Sequence, residues 1–527
     1  MRTQTGLGLF LLAACAGSSD EADPVGTGDT TNGQETGPDS TAPGEGPSTQ
    51  STTAAVDTSS GPGSGSDSGG VPAELARVGH DRELRGAWIA TVYNINFPSA
   101  QGMAVAAMQE ELQSFVDVAV ATNLNALFFQ VRPEGDALYA SDLEPWSRYL
   151  TGSQGDDPGF DPLEYLIERA HVEGIEVHAW LNPYRAAANA AVPTVAPHMA
   201  TVFPQFAYEY GNLLWMDPGA LPVREHDVDV ILDIVDRYDV DGIHFDDYFY
   251  PYPDGSPFPD GPTWDGYDGP LSRPDWRRAN VNTLVEQIHD ELIVAKPWVR
   301  FGISPFGIYQ PGMPAGITGL NQYAELYSDP LVWIQEGWVD YIAPQLYWPS
   351  TQTAQAYEPL VEWWVSIAPA GRNVFVGNYL SQLGSSGAWS VDEILTQVEL
   401  SRQYQLDSPG NIFYHIEPLL SDRDGIATLL ATETYPYPVL PPPLWEQSDV
   451  AIAPPVVSAV GADVSLVAGD DTPLRGWVVY RDEGGTFVLD HIVPASAGDT
   501  LALAPGRWAI TAAGKNDVES LGVVVEL

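Results

Sequence analysis

Two adjacent carboxylates close a short apolar run in Asp241-Gly-Ile-His-Phe-Asp-Asp-Tyr-Phe-Tyr-Pro251. Side chains alternate faces along a strand, so Gly242, His244 and Asp246 share one face and Asp241, Ile243 and Phe245 the other. The Ile/Phe face suits packing against helices. The other face delivers Asp246 to the end of a buried strand. Acids placed there can cleave a glycosidic bond, which needs a proton donor for the leaving oxygen and a second carboxylate as nucleophile or as base for water. Asp246 is the primary candidate. Asp247 can raise its pKa by like-charge repulsion and keep one of the two protonated. Further candidates for the second acid are Asp136, Glu134 and Glu417.

The same alternation gathers polar and aromatic residues at the ends of other strand-like runs. One run offers Gln130 and Arg132, then Glu134, Asp136 and Tyr139. Another offers His178, Trp180 and Asn182, then Tyr184 and Arg185. Beyond these come His244, Tyr248, Ser304, Gln345, Tyr347, Trp348, Asn378 and the His415-Ile-Glu417 segment. Purely structural strand ends would favour Val, Ile and Leu, so the recurrence points to a binding pocket. Arg132 and Arg185 suit either a pocket carboxylate or an anionic substrate group. Two long segments, 182–222 and 247–272, are rich in Pro, Tyr, Phe and Trp. Exposed aromatic loops of this kind stack on sugar rings. The Asp246-Asp247 pair also resembles the Asp-Asp motif of metal-dependent polysaccharide deacetylases. Those enzymes add two histidines four residues apart, and none of the nine histidines here has that spacing. No metal and no cofactor is expected.

These residues must be held by elements that point their ends one way. Short β-type runs recur at Gly86–Val92, Asn125–Val131, Glu176–Leu181, Gly242–Asp246, Arg300–Ser304, Tyr341–Leu346, Asn373–Asn378 and Asn411–His415, separated by amphipathic helical stretches. This alternation predicts a (β/α)8 TIM barrel over residues 80–438, whose chemistry sits at the carboxyl ends of the strands. An open doubly wound sheet is the alternative, but no glycine-rich phosphate fingerprint follows the first run. After the proline-dense Pro436–Pro443, residues 450–527 read as a small, fibronectin-III-like β-sandwich.

The chain of 527 residues carries 71 acidic and 22 basic residues, a net charge of −49. So few cations exclude nucleic acid and anionic lipid headgroups as partners. The single cysteine, Cys15, follows an apolar run ending Leu12-Ala-Ala. That arrangement resembles a bacterial lipoprotein signal over residues 1–14, with lipid attached at Cys15. Residues 15–75 are Gly, Ser, Thr, Pro and acids, the composition of a disordered tether. The expected location is the bacterial cell envelope, lipid-anchored at the outer membrane, or outside the cell.

Several segments together resemble the bacterial glycoside-hydrolase-like family 10: Glu83-Leu-Arg-Gly-Ala-Trp88, Gln130-Val-Arg-Pro-Glu-Gly-Asp-Ala-Leu-Tyr139, Pro145-Trp146, Phe160-Asp-Pro-Leu163, His178-Ala-Trp-Leu-Asn-Pro-Tyr-Arg185, Asp241 to Tyr248, and Tyr341-Ile-Ala-Pro-Gln-Leu-Tyr-Trp348. The resemblance implies a TIM-barrel glycosidase, often on an envelope lipoprotein, with some similar proteins acting on peptidoglycan glycan strands stripped of peptides. It implies a catalytic centre at Asp246 and Asp247. Arg132, Asp136, Asn182, Arg185 and Gln345 would line the subsite, with Trp146 on a matching segment nearby. A non-catalytic glycan-binding lipoprotein is the alternative of a different class.

Overall fold

The computed structural model describes residues 74–384, 389–405, 409–444 and 450–527. The signal-like segment, Cys15 and the tether up to residue 73 lie outside the described residues. The core is a parallel sheet of nine segments, two of which, Asn373–Val374 and Val376–Asn378, are one strand interrupted at Phe375. The strands are β1 (Leu84–Ile89), β2 (Ala126–Arg132), β3 (Glu176–Leu181), β4 (Gly242–Phe245), β5 (Arg300–Ile303), β6 (Tyr341–Ile342), β7 (the interrupted pair) and β8 (Gly410–Phe413). The first half of β7 pairs with β6 and the second half with β8, and β8 pairs with β1, so the sheet closes on itself. The barrel expected from the sequence is the fold observed. Helices follow the strands: α1 (Val105–Ala121), α2 (Pro162–Val172), α3 (Leu221–Arg237), α4 (Arg273–Ala295), α5 (Pro330–Gln335), α6 (Tyr357–Ile367) and α7 (Val391–Tyr404). Asp161 caps α2 by accepting the Leu163 and Glu164 N–H groups, with Pro162 at the first position.

The barrel interior interleaves large rings with residues that have no side chain. Trp88, Phe128, Tyr341, Phe375 and Ile412 meet at the axis. A Cβ on Gly302 would stand 1.9 Å from the Tyr341 ring, and one on Gly242 would stand 2.3 Å from His178. Tyr341 is fully buried and hydrogen-bonded to two histidines, so its ring has nowhere to go. Gly302→Ala is therefore expected to destabilise the protein by about 1–3 kcal/mol, measured by denaturant unfolding.

After β3 the chain forms a three-stranded antiparallel sheet from Arg185–Ala187, Ala207–Tyr210 and Leu213–Met216. The Trp215 indole N–H donates to the Phe249 carbonyl and ties this insertion to the one after β4. Most aromatic side chains of the two insertions are not exposed, contrary to the sequence reading. Trp215, Phe249, Tyr250 and Phe258 are buried and form the insertions' own small cores. The loops are long enough to need such cores, and rings bury much area per residue.

The C-terminal region forms two antiparallel sheets sharing one core. Its strands are β9 (Val456–Val460), β10 (Asp463–Val467), β11 (Leu474–Asp482), β12 (Phe487–Pro494), β13 (Thr500–Ala502), β14 (Arg507–Gly514) and β15 (Gly522–Glu526). Leu75–Ala76, at the end of the expected tether of residues 15–75, pairs with β15 as an added edge strand. The module seats on the amino-terminal end of the barrel strands. Arg475 from β11 pairs with Glu176 at the start of β3 (2.7 Å) and with Asp517 (2.7 Å). Arg300, at the start of β5, reaches Asp517 at 2.5 Å and the Pro442 carbonyl. Pro441 and Pro442 belong to this floor, and Val439, Leu440 and Leu444 beside them are buried. The proline stretch thus packs under the barrel as part of its base.

A hydrogen-bonded line runs from this floor up the axis. The Trp88 indole can only donate, so His244 Nε2 accepts from it (3.1 Å) and the His244 proton sits on Nδ1, facing the Tyr341 hydroxyl (3.0 Å). Tyr341 then donates to His178 Nδ1 (3.1 Å), and His178 Nε2–H donates to Glu176 (2.9 Å). Burial holds His244 well below the usual histidine range, which keeps it neutral.

Candidate active site

Asp246 follows the last residue of β4 and faces the axis, as strand alternation requires. Its Oδ2 accepts the Trp180 indole N–H (3.2 Å) and the Asn182 amide N–H (2.5 Å), both from the β3 end. Its Oδ1 accepts the backbone N–H of Tyr248 (3.3 Å). Asn182 is fixed in turn, since its Oδ1 accepts from Gln130 (2.7 Å) and Arg185 (2.9 Å). Asp247 turns to the other side. Its Oδ1 accepts from Gln345 at the β6 end (3.3 Å), and its Oδ2 accepts the Tyr252 hydroxyl.

The two carboxyls are nearly enclosed, 5 % and 3 % exposed. Burial, then the charge of Asp247, pushes Asp246 up to about 7, while the Arg185 guanidinium opposes the rise. Burial raises Asp247 as well. Carboxyls this close that both resist ionisation hold one proton between them near neutrality. If that proton does the chemistry, kcat/KM falls as pH rises through about 7, because the second ionisation removes the donor. A pH–rate profile from about pH 5 to about pH 9 checks this.

Aromatic side chains line the approach. Tyr347 stacks on Tyr379 with centroids 4.8 Å apart, and Tyr414 packs against both. Burial raises the Tyr414 hydroxyl, and Tyr379, Asp246 and Asp247 add to the rise. Trp348 packs edge-on to Phe306, and Arg185 lies over the Tyr248 ring at 5.3 Å. Of the candidates named from sequence, the structure gathers Asp246, Asp247, Trp180, Asn182, Arg185, Tyr248, Gln345, Tyr347 and Trp348 around one cleft. Tyr252, Tyr379 and Tyr414 join them and were not among the candidates. Alternation along β8 would have found Tyr414, since it shares a face with the axial Ile412.

Other candidates lie elsewhere. The β2–β3 register slips between Gln130 and Arg132, adding one residue at Val131. That bulge re-aims Arg132 away from the axis. Arg132 instead grips Glu144 through two nitrogens (2.7 and 2.5 Å) and Asp227 of α3 (3.0 Å). It also donates to the Asn182 and Pro183 carbonyls, so it positions the Asn182 turn from behind. Glu134 is buried and accepts from Tyr149, Arg148 and the Ala188 N–H. Asp136 is fully buried next to Gln154 (3.3 Å). Tyr139 packs on Tyr238, and Tyr184 is buried facing Asp227 and Asp217. His178 and His244 are sealed in the axial line, with both ring nitrogens engaged. The Ser304 hydroxyl donates to the Ala343 carbonyl. Asn378 sits on the outer face of β7, bonded to Tyr357 of α6 and Gln397 of α7. Trp146 is half-buried on the loop after β2, its backbone bridged to Ala137. Glu417 pairs with Arg423 beyond β8.

A family model described as Glycosyl hydrolase-like 10 matches residues 83–389. Glycosyl hydrolase YngK of Bacillus subtilis (strain 168) is 38% identical over 433 residues, 78% of this chain and 85% of that protein. Glycosyl hydrolase DigH of Escherichia coli (strain K12) is 33% identical over 349 residues, 62% of this chain and 80% of that protein. Among solved structures, the PgaB (BpsB) glycoside hydrolase domain from Bordetella bronchiseptica aligns with a TM-score of 0.43 at 13% identity, covering 67% of this chain and 98% of that one.

Proposed function

Because the chain belongs to the glycosyl hydrolase-like 10 family, we propose that it hydrolyses glycosidic bonds in a cell-envelope or extracellular glycan, with peptidoglycan glycan strands as the substrate. One observation carries the reading: two enclosed carboxyls stand together at the end of β4, both raised by burial, on the barrel end that also carries Tyr347, Tyr379, Tyr414 and Tyr248. A carboxyl kept protonated near neutrality is the group that must protonate a leaving sugar oxygen. Tyrosine rings supply the stacking faces and rim hydroxyls that hold sugar rings. Asn182, Trp180 and Gln345 hold the carboxyls in place, and Arg185 stands beside them to meet a substrate hydroxyl or carboxylate.

Incubation with purified peptidoglycan strands freed of peptides tests the proposal. Soluble sugar fragments, seen by mass spectrometry, are the expected product. Binding without fragments would instead make the protein a glycan-binding lipoprotein. Acetate release that is lost with a chelator and restored by zinc would make it a deacetylase. We further propose that Cys15 carries the lipid that holds the enzyme at a bacterial envelope. Labelled palmitate should enter the wild-type protein in cells and not Cys15→Ser.

A further inference from the structure

We propose that the nucleophile in this reaction is the substrate's own 2-acetamido oxygen, with Asp247 as the proton donor and Asp246 as the carboxylate that holds the acetamido N–H. This inference rests on the hydrolase reading above and deepens it by requiring a 2-acetamido sugar on the non-reducing side of the cleaved bond.

The placement of the acids leads to it. Two protein carboxyls that share the work of hydrolysis flank the bond from opposite sides, about 5–9.5 Å apart. Asp246 and Asp247 are consecutive, with Cα atoms about 3.8 Å apart, and both enter the cleft from the end of β4. They approach a sugar from one side. Among the described residues, four further acids named on the loops at this end of the barrel have neighbours of their own. Glu134 is closed in by Tyr149, Arg148 and the Ala188 N–H, and Glu144 is held by Arg132. Asp136 is buried beside Gln154, and Glu417 is paired with Arg423. With those four engaged, the proposed attacking atom comes from the substrate.

The hydrogen bonds divide the two roles. All three partners of Asp246, from Trp180, Asn182 and Tyr248, are N–H donors that cannot accept, so this carboxyl is built to carry charge. A carboxylate has about four lone-pair sites, which leaves one for an incoming amide N–H. Asp247 accepts one N–H, from Gln345 (3.3 Å), and its other oxygen meets the Tyr252 hydroxyl, which can donate or accept and so tolerates a protonated neighbour. A proton on Asp247 also removes its repulsion of Asp246. The Tyr414 ring, packed against Tyr347 and Tyr379, offers an apolar wall to the acetamido methyl.

Asp247 gives its proton to the glycosidic oxygen, and the C1–O bond breaks with its electron pair going to that oxygen. The acetamido oxygen forms the new bond to C1, and the amide proton passes to Asp246, leaving an oxazoline. Water then attacks C1 and gives a proton to Asp247. The ring opens, nitrogen recovers its proton from Asp246, and the sugar leaves with its original configuration at C1.

The test compares peptide-free glycan strands with the same strands chemically N-deacetylated, using wild-type enzyme and following the anomer first released by NMR. Loss of kcat by about 10³-fold or more on the deacetylated strands, with retained configuration on the acetylated ones, supports the proposal. Equal kcat on both, or inverted product, overturns it while leaving the hydrolase reading intact. Cleavage of neither overturns the hydrolase reading and this inference with it.

Discussion

Asp246→Asn should lower kcat on peptide-free glycan strands about 10³-fold or more, with the dissociation constant for those strands changed little, read by fragment release and by direct binding. The substitution is nearly isosteric, and the cleft walls of Tyr347, Tyr379 and Tyr414 do not depend on the lost charge. What disappears is the anion that Trp180, Asn182 and the Tyr248 N–H were arranged to hold. Asp247→Asn should cost a similar factor on natural strands but much less on a substrate with a leaving group that needs no proton, such as a dinitrophenyl glycoside. Asp246→Asn should show no such rescue. The same variant should be more stable than wild type above neutrality. Burial and the charge of Asp247 raise Asp246 to about 7, above an exposed aspartate, and burial raises Asp247 too, so the pair as a whole keeps a proton to higher pH than two exposed aspartates would. The singly protonated pair is therefore favoured by folding, and that stability is fully present below about pH 4 and lost as pH rises through about 7. Above that range both buried carboxyls are charged, and Asn at 246 removes one of the two charges. The melting-temperature gain should shrink as pH drops from about 8 to about 4.

Arg475→Met should destabilise the whole protein by about 3–5 kcal/mol, although it lies at the end of the barrel far from the acids. Glu176 is fully buried, and Arg475 at 2.7 Å is the strongest influence holding it ionised, ahead of Arg300 and His178. Burial alone would raise this carboxyl; the cations bring it down to about 2. Its stability contribution is therefore present above its unfolded value and lost as pH falls toward about 2. Removing Arg475 strips Asp517 as well, a carboxyl that burial already raises to about 7, and leaves Arg300 as the guanidinium in reach of both acids. Denaturant unfolding near pH 7 reads the loss. Glu176→Gln combined with Arg475→Met should recover part of it, because the stranded charge is then gone. Deletion of residues 450–527 removes Arg475 and Asp517 together and exposes the barrel floor, and it should leave the barrel unable to fold in soluble form.

By itself the sequence determined the barrel, the β module and the place of Asp246 at a strand end, because these follow from local periodicity. Alternation along Gly242–Asp246 places Asp246 at the axis whatever surrounds it, and the same rule correctly aimed Trp180, Asn182 and Gln345. The rule fails where one residue is added or where a position is read on the wrong face. The bulge at Val131 turned Arg132 into the shell, Asn378 points to the helices, and Tyr414 was passed over although it shares a face with Ile412. A bulge depends on how two strands distant in sequence pair, so no local pattern announces it. Which carboxylates are free for chemistry was also a tertiary decision. Glu134, Asp136 and Glu417 are as acidic in sequence as Asp246, and only their partners, Arg148, Gln154 and Arg423, withdraw them from the cleft. The seating of the C-terminal module on the barrel floor was decided the same way, through charges hundreds of residues apart that must be buried together because neither Glu176 nor Arg475 can be buried alone.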